Sequence, residues 1–583
     1  MSEKKINNKN NQNKTNLNEI YYNCKNFFIS KYKNLNREQI LTFLKFFLFI
    51  IILLFSIFIY LYHSPKKNFS RILIYVINNE YNNISSYIFY QLNHINHLFS
   101  HIIIISNSEI KRNQNNKLIN ITNKTTIIHE KNIFSKYDAW YKAILNFGFL
   151  NLIKYDEITF MTDECFGPFW PIDEIYFKYE KEKKIDFWGM ISYKNIKIID
   201  YFITFKGNII KNKKFNDFWT NEQLFKNNKI INITEYFVNN NFKYKTFVNI
   251  DYKYEDELID ILIKKIPFFK ISDVNFTSTI SFFFLERIYK YTNYPIDYIV
   301  YHLSKYINPD HKNIIPFKYL KKVENKNEQN KKIAIHLHIF YPEFLKDFIY
   351  YFHENIKYKF DLYITTDNTK KKKYITKKLK KYNSISNFNF KFYVIITLNK
   401  GRDIYPMVQI KKYLSKYDYI GHFHDKRSPL NYYLLESWTK DIMYMMINRT
   451  NDIISNFIEY DELGIVIADV PSLFRYKRFI EKEYNEKLFV FIDKIWNNLK
   501  IEKKLKINEN KTFVFSYGTY LWFKYDALKP FFNINENDIP NEPLGRLTNL
   551  HLIERIFIYI AWSQNYDFKI SPNLIQIPAF LDL

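Results

Sequence analysis

Residues 422 to 429 read HFHDKRSP, which sets two histidines, an aspartate, two cations and a serine at the end of the apolar stretch YDYIG. Three chemistries fit those residue types. Lys426, Arg427 and Ser428 can neutralise and hold a diphosphate without a metal. His422 and His424 project to one side of their strand, as His336 and His338 do on theirs, so four imidazoles can converge on a transition metal if the strands are neighbours. A basic loop held only by solvent is the plain alternative. Upstream, Gly401, Arg402 and Asp403 end a strand and open a helix, where Arg402 can reach a phosphate and Asp403 either caps the helix or accepts from a ribose or sugar hydroxyl.

The stretch KYDAWYKAILNFGFLNLIKYDEITFMTDECFGP (136 to 168) runs through the same order of parts as GRDIYPMVQIKKYLSKYDYIGHFHDKRSP (401 to 429). Each has an aspartate (Asp138, Asp403) opening a helix of about three turns, then a Tyr-Asp pair, an apolar strand and a polar loop ending in Pro. Asp156 to Asp163 and Asp418 to Asp425 are both seven residues apart, which lays TDE on HDK. The expectation is a duplicated α/β unit. Ligands of open α/β sheets bind beyond the carboxyl ends of strands, so function is sought in these loops.

The elements that must position the loops are short β-rich runs alternating with helical patterns. Expected strands are 71 to 77, 101 to 106, 157 to 162, 333 to 339, 360 to 366, 392 to 398 and 417 to 423. Residues 342 to 356 are expected to be helical, with Phe344, Phe348 and Tyr351 on one face. The charged, non-periodic end of 305 to 332 marks a linker between a first domain (70 to 304) and a second (333 to 583). Residues 1 to 40 form a polar amino-terminal segment, and its Asn/Lys-rich start is too poor in apolar surface to order itself. The run 41 to 63, LTFLKFFLFIIILLFSIFIYLYH, is long and apolar enough to span a bilayer once, and flanking lysines and arginines on both sides leave its orientation open. A chain of 583 residues has room for several cores. Its Lys+Arg 85 against Asp+Glu 59 accompanies an excess of Asn, Ile, Tyr and Phe and only 9 Gly, the pattern of AT-biased codon usage rather than of a nucleic-acid partner. With only Cys24 and Cys165, neither a disulfide framework nor a cysteine-based zinc site is available.

The stretches KIAIHLHIFYPEFLKDF, FDLYITT, LNKGRDIYPM, YDYIGHFHDKRS, YGTYLWFKYDALKP and NEPLGRLTNLHLIER resemble the rhamnan synthesis protein F family, and so do YDEITFMTDECFGPFWPIDEI, KKIDFWGM and FNDFWTNE in the first half. The resemblance covers about residues 70 to 580. It implies tandem nucleotide-diphospho-sugar transferase (GT-A)-like α/β domains behind the membrane helix. The implied enzyme is a glycosyltransferase moving rhamnose or another deoxyhexose from a nucleotide-diphosphate donor to a lipid-linked surface polysaccharide. The implied location is a bacterial inner membrane, with the catalytic domains in the cytoplasm. In that reading Arg402, Asp403, His422, His424, Asp425, Lys426, Arg427 and Ser428 bind the donor. Glu542 is the general base with Asp469 in reserve, and Trp522, His551, Glu554 and Arg555 lie on the acceptor side, against the plainer readings of Trp522 as a buried core residue and of His551 to Arg555 as an intrahelical salt-bridge set. Asp138, Asp163 and Glu164 are the first-half candidates. A divalent metal is a candidate cofactor, on Asp163 and Glu164 or on His336, His338, His422 and His424. The chain departs from the family pattern at NIFSKYDAW, where two glycines are missing, and at Tyr405, which stands for a glycine and would narrow a donor pocket. The competing reading is a membrane-tethered glycan-binding or assembly scaffold without catalysis.

Overall fold

The computed structural model describes residues 42, 46, 48–53 and 69–573 apart from 79–83, 122–123, 132, 134, 195, 222–231, 251–261, 272–278, 306–308, 310, 312–313, 324–330, 386–389, 426–431, 473–491, 503–513 and 540–548. Most of the apolar run 41–63 lies outside the described residues; Thr42, Phe46 and residues 48–53 are helical. No helix among the described residues is long and apolar enough to cross a membrane. By internal contacts the chain divides into Met1–Phe69 and Ser70–Leu583.

The second of these units holds two large sheets. The first sheet contains β1 (Arg71–Ile77), β2 (His101–Ser106), β3 (Thr125–His129), β4 (Glu157–Thr162), β6 (Phe187–Tyr193), β7 (Lys197–Ile198), β8 (Phe202–Lys206) and β9 (Tyr244–Ile250), while β5 (Cys165–Phe166) pairs with β10 (Phe269–Lys270). The second contains β11 (Ile333–His338), β12 (Phe360–Thr366), β13 (Phe390–Ile396), β14 (Tyr419–His424), β15 (Leu463–Ala468), β16 (Leu521–Phe523) and β17 (Asp567–Ser571). The first sheet is ordered β3-β2-β1-β4-β8-β6 with β9 on β6, and the second β13-β12-β11-β14-β16-β15-β17. In both, four parallel strands are followed by one antiparallel to its neighbours (β8, β16), and the last pair is parallel again. The same order and the same directions show one α/β unit built twice.

The central parallel strands are buried on both faces, which is why they read as unbroken apolar runs. Every residue of β1, β4, β11 and β14 is buried. The repeated seven-residue spacing has a physical cause. Asp156 accepts the Ser70 N–H at 3.0 Å and Asp418 accepts the Lys332 N–H at 2.7 Å, just before the central strands begin. At the other end Asp163 accepts the Asn78 N–H at 2.9 Å, and Asp425 accepts the N–H groups of Phe340, at 3.0 Å, and Tyr341. In each half, two aspartates clamp the neighbouring central strand at both ends.

The helical segment after β11 starts with a 3-10 turn, Pro342–Phe344, and continues as the helix Leu345–Asn355. It buries Leu345, Phe348, Ile349 and Phe352, so the buried stripe is displaced from the expected Phe344 and Tyr351, which are only partly covered. The helix after Asp403 is shorter than the expected three turns: Ile404–Gln409 ends where Ile410 leaves helical geometry.

The two halves share one apolar cluster running from Leu73 to Trp522. Buried ions also join them. Asp297 on the helix Asp297–Leu303 meets Lys569 of β17 at 2.5 Å and Lys321 at 2.9 Å, while Asp567 meets Lys318 and, at 2.9 Å, the Ser304 hydroxyl. Lys318 belongs to the short 3-10 helix Ile315–Lys318, so the segment 305–332, expected as a linker, is packed against the second sheet where it is described.

Candidate functional site

At the carboxyl end of the second sheet, β11 and β14 are neighbours in the register that sets His336 beside His422 and His338 beside His424. All four imidazoles therefore lie along one face, as the alternation requires. They form a row rather than a metal cage. His336 Nδ1 meets His422 Nδ1 at 2.9 Å, His336 Nε2 meets the Thr365 hydroxyl at 2.8 Å, and the same hydroxyl meets His338 Nδ1 at 2.9 Å. Burial lowers the pKa of His336 and His422 and takes His338 down to about 3, so these rings are neutral and exchange single hydrogen bonds. Among the described residues no group of three or more His, Cys, Asp or Glu side chains is arranged to hold a metal ion. Of the alternatives for these histidines, the four-imidazole metal site is not formed: His336, His338 and His422 bond to one another and to Thr365, and His424 bonds to backbone carbonyls.

Asp403 lies beside this row without a hydrogen bond to it. Its carboxylate lies 3.6 Å from His422 Nε2 and 3.9 Å from His424 Nε2, and it accepts the Thr519 hydroxyl. Burial on its own would raise this carboxyl, but the two imidazoles and Thr519 outweigh burial and hold it well below the usual carboxylate range. Asp403 occupies the position before the helix Ile404–Gln409 yet makes no side-chain cap to it. Its charge is directed into the site. His424 has acceptors on both nitrogens, the Asp425 carbonyl at 2.9 Å and the Gly518 carbonyl at 2.6 Å.

The turn Tyr517–Thr519 connects these groups to the far helix, Asn549–Ser563. Gly518 has φ +73° and donates its N–H to Glu554 at 2.6 Å, while Thr519, at φ +59°, donates to Asp403. Two carboxylates from distant segments are therefore fixed by adjacent residues of one turn. Arg555 donates to the His551 carbonyl at 3.0 Å, approaches Glu554 at 3.7 Å and covers the Phe515 ring at 4.7 Å, while His551 sits one turn earlier, half-buried. Gly401 enters the site at φ +68°, and a Cβ there would lie 2.6 Å from Ile539, so only glycine fits. Arg402, next to it, is exposed.

Several expected roles change. Asp163 and Asp425 are backbone clamps; burial pushes their carboxyls up to about 7 and about 6, and their oxygens are occupied by N–H groups. Asp469 is fully buried and accepts from the Val470 N–H at 2.7 Å and the Tyr319 hydroxyl at 3.3 Å, which leaves it poorly placed as a reserve base. Trp522 takes its core reading rather than the sugar-stacking one, with no exposure and its indole N–H on the Met446 carbonyl at 2.8 Å. Tyr405 packs into the core, its hydroxyl 3.3 Å from Glu536, instead of narrowing a pocket. Lys426, Arg427, Ser428 and Glu542 lie outside the described residues.

In the first half, Asp138 pairs with Lys142 at 3.4 Å within its own helix. Glu164 meets the Lys136 ammonium at 2.9 Å, and Asp200, in the turn before β8, meets the same ammonium at 2.8 Å. Lys136, Asp200, Gly518 and Thr519 were absent from the sequence-based candidates. Their only sequence signals were proximity to Asp138 in SKYDAW and the YGT triplet before LWF.

The rhamnan synthesis protein F family pattern matches residues 102–566. The solved glycosyltransferase GlyE of Streptococcus pneumoniae TIGR4 is 10% identical, over 63% of this chain and 89% of that one, with TM-score 0.25. S. aureus TarS 1-349 is 10% identical, over 41% and 57%, with TM-score 0.24. Glucosyl-3-phosphoglycerate synthase from Mycobacterium tuberculosis, solved with Mn2+, uridine diphosphate and glucosyl-3-phosphoglycerate, is 9% identical, over 25% and 60%, with TM-score 0.19. This chain thus spans about three fifths of the length of the TarS and synthase chains. Superpositions this loose carry no residue-level argument. No curated protein matches the chain.

Proposed function

Since the chain belongs to the rhamnan synthesis protein F family, we propose that it is a glycosyltransferase that moves a sugar from a nucleotide-diphosphate donor to a glycan. The observation that carries the proposal is the Asp403, His424, Thr519 and Glu554 cluster at the carboxyl ends of the second sheet, inside the matched segment. Asp403, kept ionised, accepts from a ribose or sugar hydroxyl. Arg402 and the basic loop Lys426, Arg427 and Ser428 take the diphosphate, supplying in side chains the charge that a metal would supply. Glu554, half-buried and steadied by Gly518, joins Glu542 as a candidate to receive the acceptor's proton. The donor sugar is rhamnose or another deoxyhexose and the acceptor a lipid-linked surface polysaccharide. The test is a binding and transfer assay of the full chain with a panel of nucleotide sugars, with and without divalent metal. Turnover of one deoxyhexosyl donor is expected, and neither binding nor turnover with any donor would sink the proposal.

The run 41–63 serves as a single membrane anchor. Its support is the length of the apolar run and the exposure of Phe46, Leu48, Phe49, Ile51, Ile52 and Leu53 along the described part. The catalytic unit then faces the cytosolic donor pool of a bacterial inner membrane. Protease added to intact cells is expected to spare everything beyond His63, whereas digestion there would place the unit outside.

The scaffold reading holds best for the first half. Its aspartate, glutamate and lysine side chains are paired with one another, which favours catalysis in the second half only.

A further inference from the structure

The duplicated topology makes the sites of the two halves comparable position by position. In the second half the site is assembled from the start of a helix (Asp403), the end of β14 (His424) and the turn before β16 (Gly518, Thr519). In the first half the corresponding segments are the start of the helix Lys136–Phe147, the loop after β4 and the turn before β8, and they supply Lys136, Glu164 (which stands where Lys426 does in the register of TDE on HDK) and Asp200.

A metal-assisted transferase would put its cation between carboxylates at this place, with each oxygen about 2.1 Å from the ion. Here that position is filled. The Lys136 Nζ stands 2.9 Å from Glu164 Oε2 and 2.8 Å from Asp200 Oδ1, and its side chain is only 15% exposed. Tyr137 closes the other side by donating to Asp200, and its ring lies 5.8 Å from the same ammonium. The remaining carboxylate of the loop, Asp163, is turned inward to the Asn78 N–H. Burial works against the Lys136 charge, but the two carboxylates outweigh it, raising its pKa and keeping the ammonium charged. Asp200 is correspondingly held below its ordinary value against burial.

We propose that Lys136 is a built-in cation that takes the place of a divalent metal in the first half, so that this half seats no metal-bound nucleotide. The residues present do not fit a metal as they stand: an ion can enter only if Lys136 leaves both carboxylates. With one ammonium and two carboxylates the cluster is also net negative, which disfavours a bare diphosphate. The inference is independent of whether the second half transfers a sugar.

The test is Mn2+ binding by the full chain, followed by electron paramagnetic resonance, which reads the metal and not the reaction. Lys136→Ala should gain one Mn2+ equivalent with affinity at least tenfold above the native protein, and adding Glu164→Gln should abolish the gain. Lys136→Met keeps the stem packed and should behave the same way if the alanine variant folds poorly. Native protein binding an Mn2+ that Glu164→Gln or Asp200→Asn removes would overturn the proposal, and so would a folded Lys136 variant that gains no Mn2+. In the native protein, Mn2+ binding unaffected by Glu164→Gln and Asp200→Asn is the expected result.

Discussion

Asp403→Asn is expected to lower donor turnover by about 10²-fold or more with little loss of stability. The substitution separates two explanations of a charged residue at a helix start. Asparagine caps a helix about as well as aspartate, so a capping role predicts a near-neutral variant. The structure argues otherwise, because the Asp403 side chain makes no cap and points to Thr519, His422 and His424. Asparagine would keep one acceptor oxygen for the Thr519 hydroxyl but lose the negative charge that Asp403 carries into the site. A fall in kcat with small change in KM assigns the charge to the reaction itself. A fall confined to donor affinity would assign it to ribose or sugar binding. Activity within threefold of native, at an unchanged melting temperature, would return Asp403 to a structural role.

How much of this site was visible in the sequence depends on whether a residue's partners follow from periodicity. The bounds of β1, β2, β4 and β12 agree with the apolar runs that announce them, since a strand buried on both faces has few polar residues to blur its ends. The two His-x-His pairs were legible as one face, and the strand pairing places them side by side. What periodicity could not reveal is that the rings bond to one another and to Thr365, because that depends on spacing across strands. The equal spacing of Asp156, Asp163 and Asp418, Asp425 marked the duplication, yet its cause is strand clamping and not ligand binding. Lys136, Asp200 and Thr519 were silent for another reason. Each lies in an ordinary polar context and meets its partner only when the antiparallel strands β8 and β16 fold back beside β4 and β14.

Asp297→Ala is expected to cost about 3–5 kcal/mol of stability, the largest effect predicted for the fold, because it strands a buried cation. Asp297 is 1% exposed and faces Lys569 at 2.5 Å, Lys321 at 2.9 Å and the Tyr460 hydroxyl at 3.3 Å. Burial would raise its carboxyl, but Lys569 and Lys321 prevail and hold it at about 2. Burial also draws Lys569 below the usual ammonium range, so this cation depends on its carboxylate. The carboxyl of the unfolded chain titrates near about 3.9, above the folded value. Its stabilising contribution is therefore complete above about pH 4 and is lost as pH falls toward 2. Denaturant unfolding at pH 7 should show the variant's loss in full, and the gap from native should narrow as pH falls from about 4 toward 2. The exposed pair Lys117–Asp461, at a comparable 2.7 Å, sets the contrast, since Asp461→Ala should change stability by at most about 1 kcal/mol. Equal losses from the two substitutions would mean that the buried ions do not hold the halves together. A loss confined to Asp297→Ala would make them the clasp that fixes one α/β unit against its duplicate.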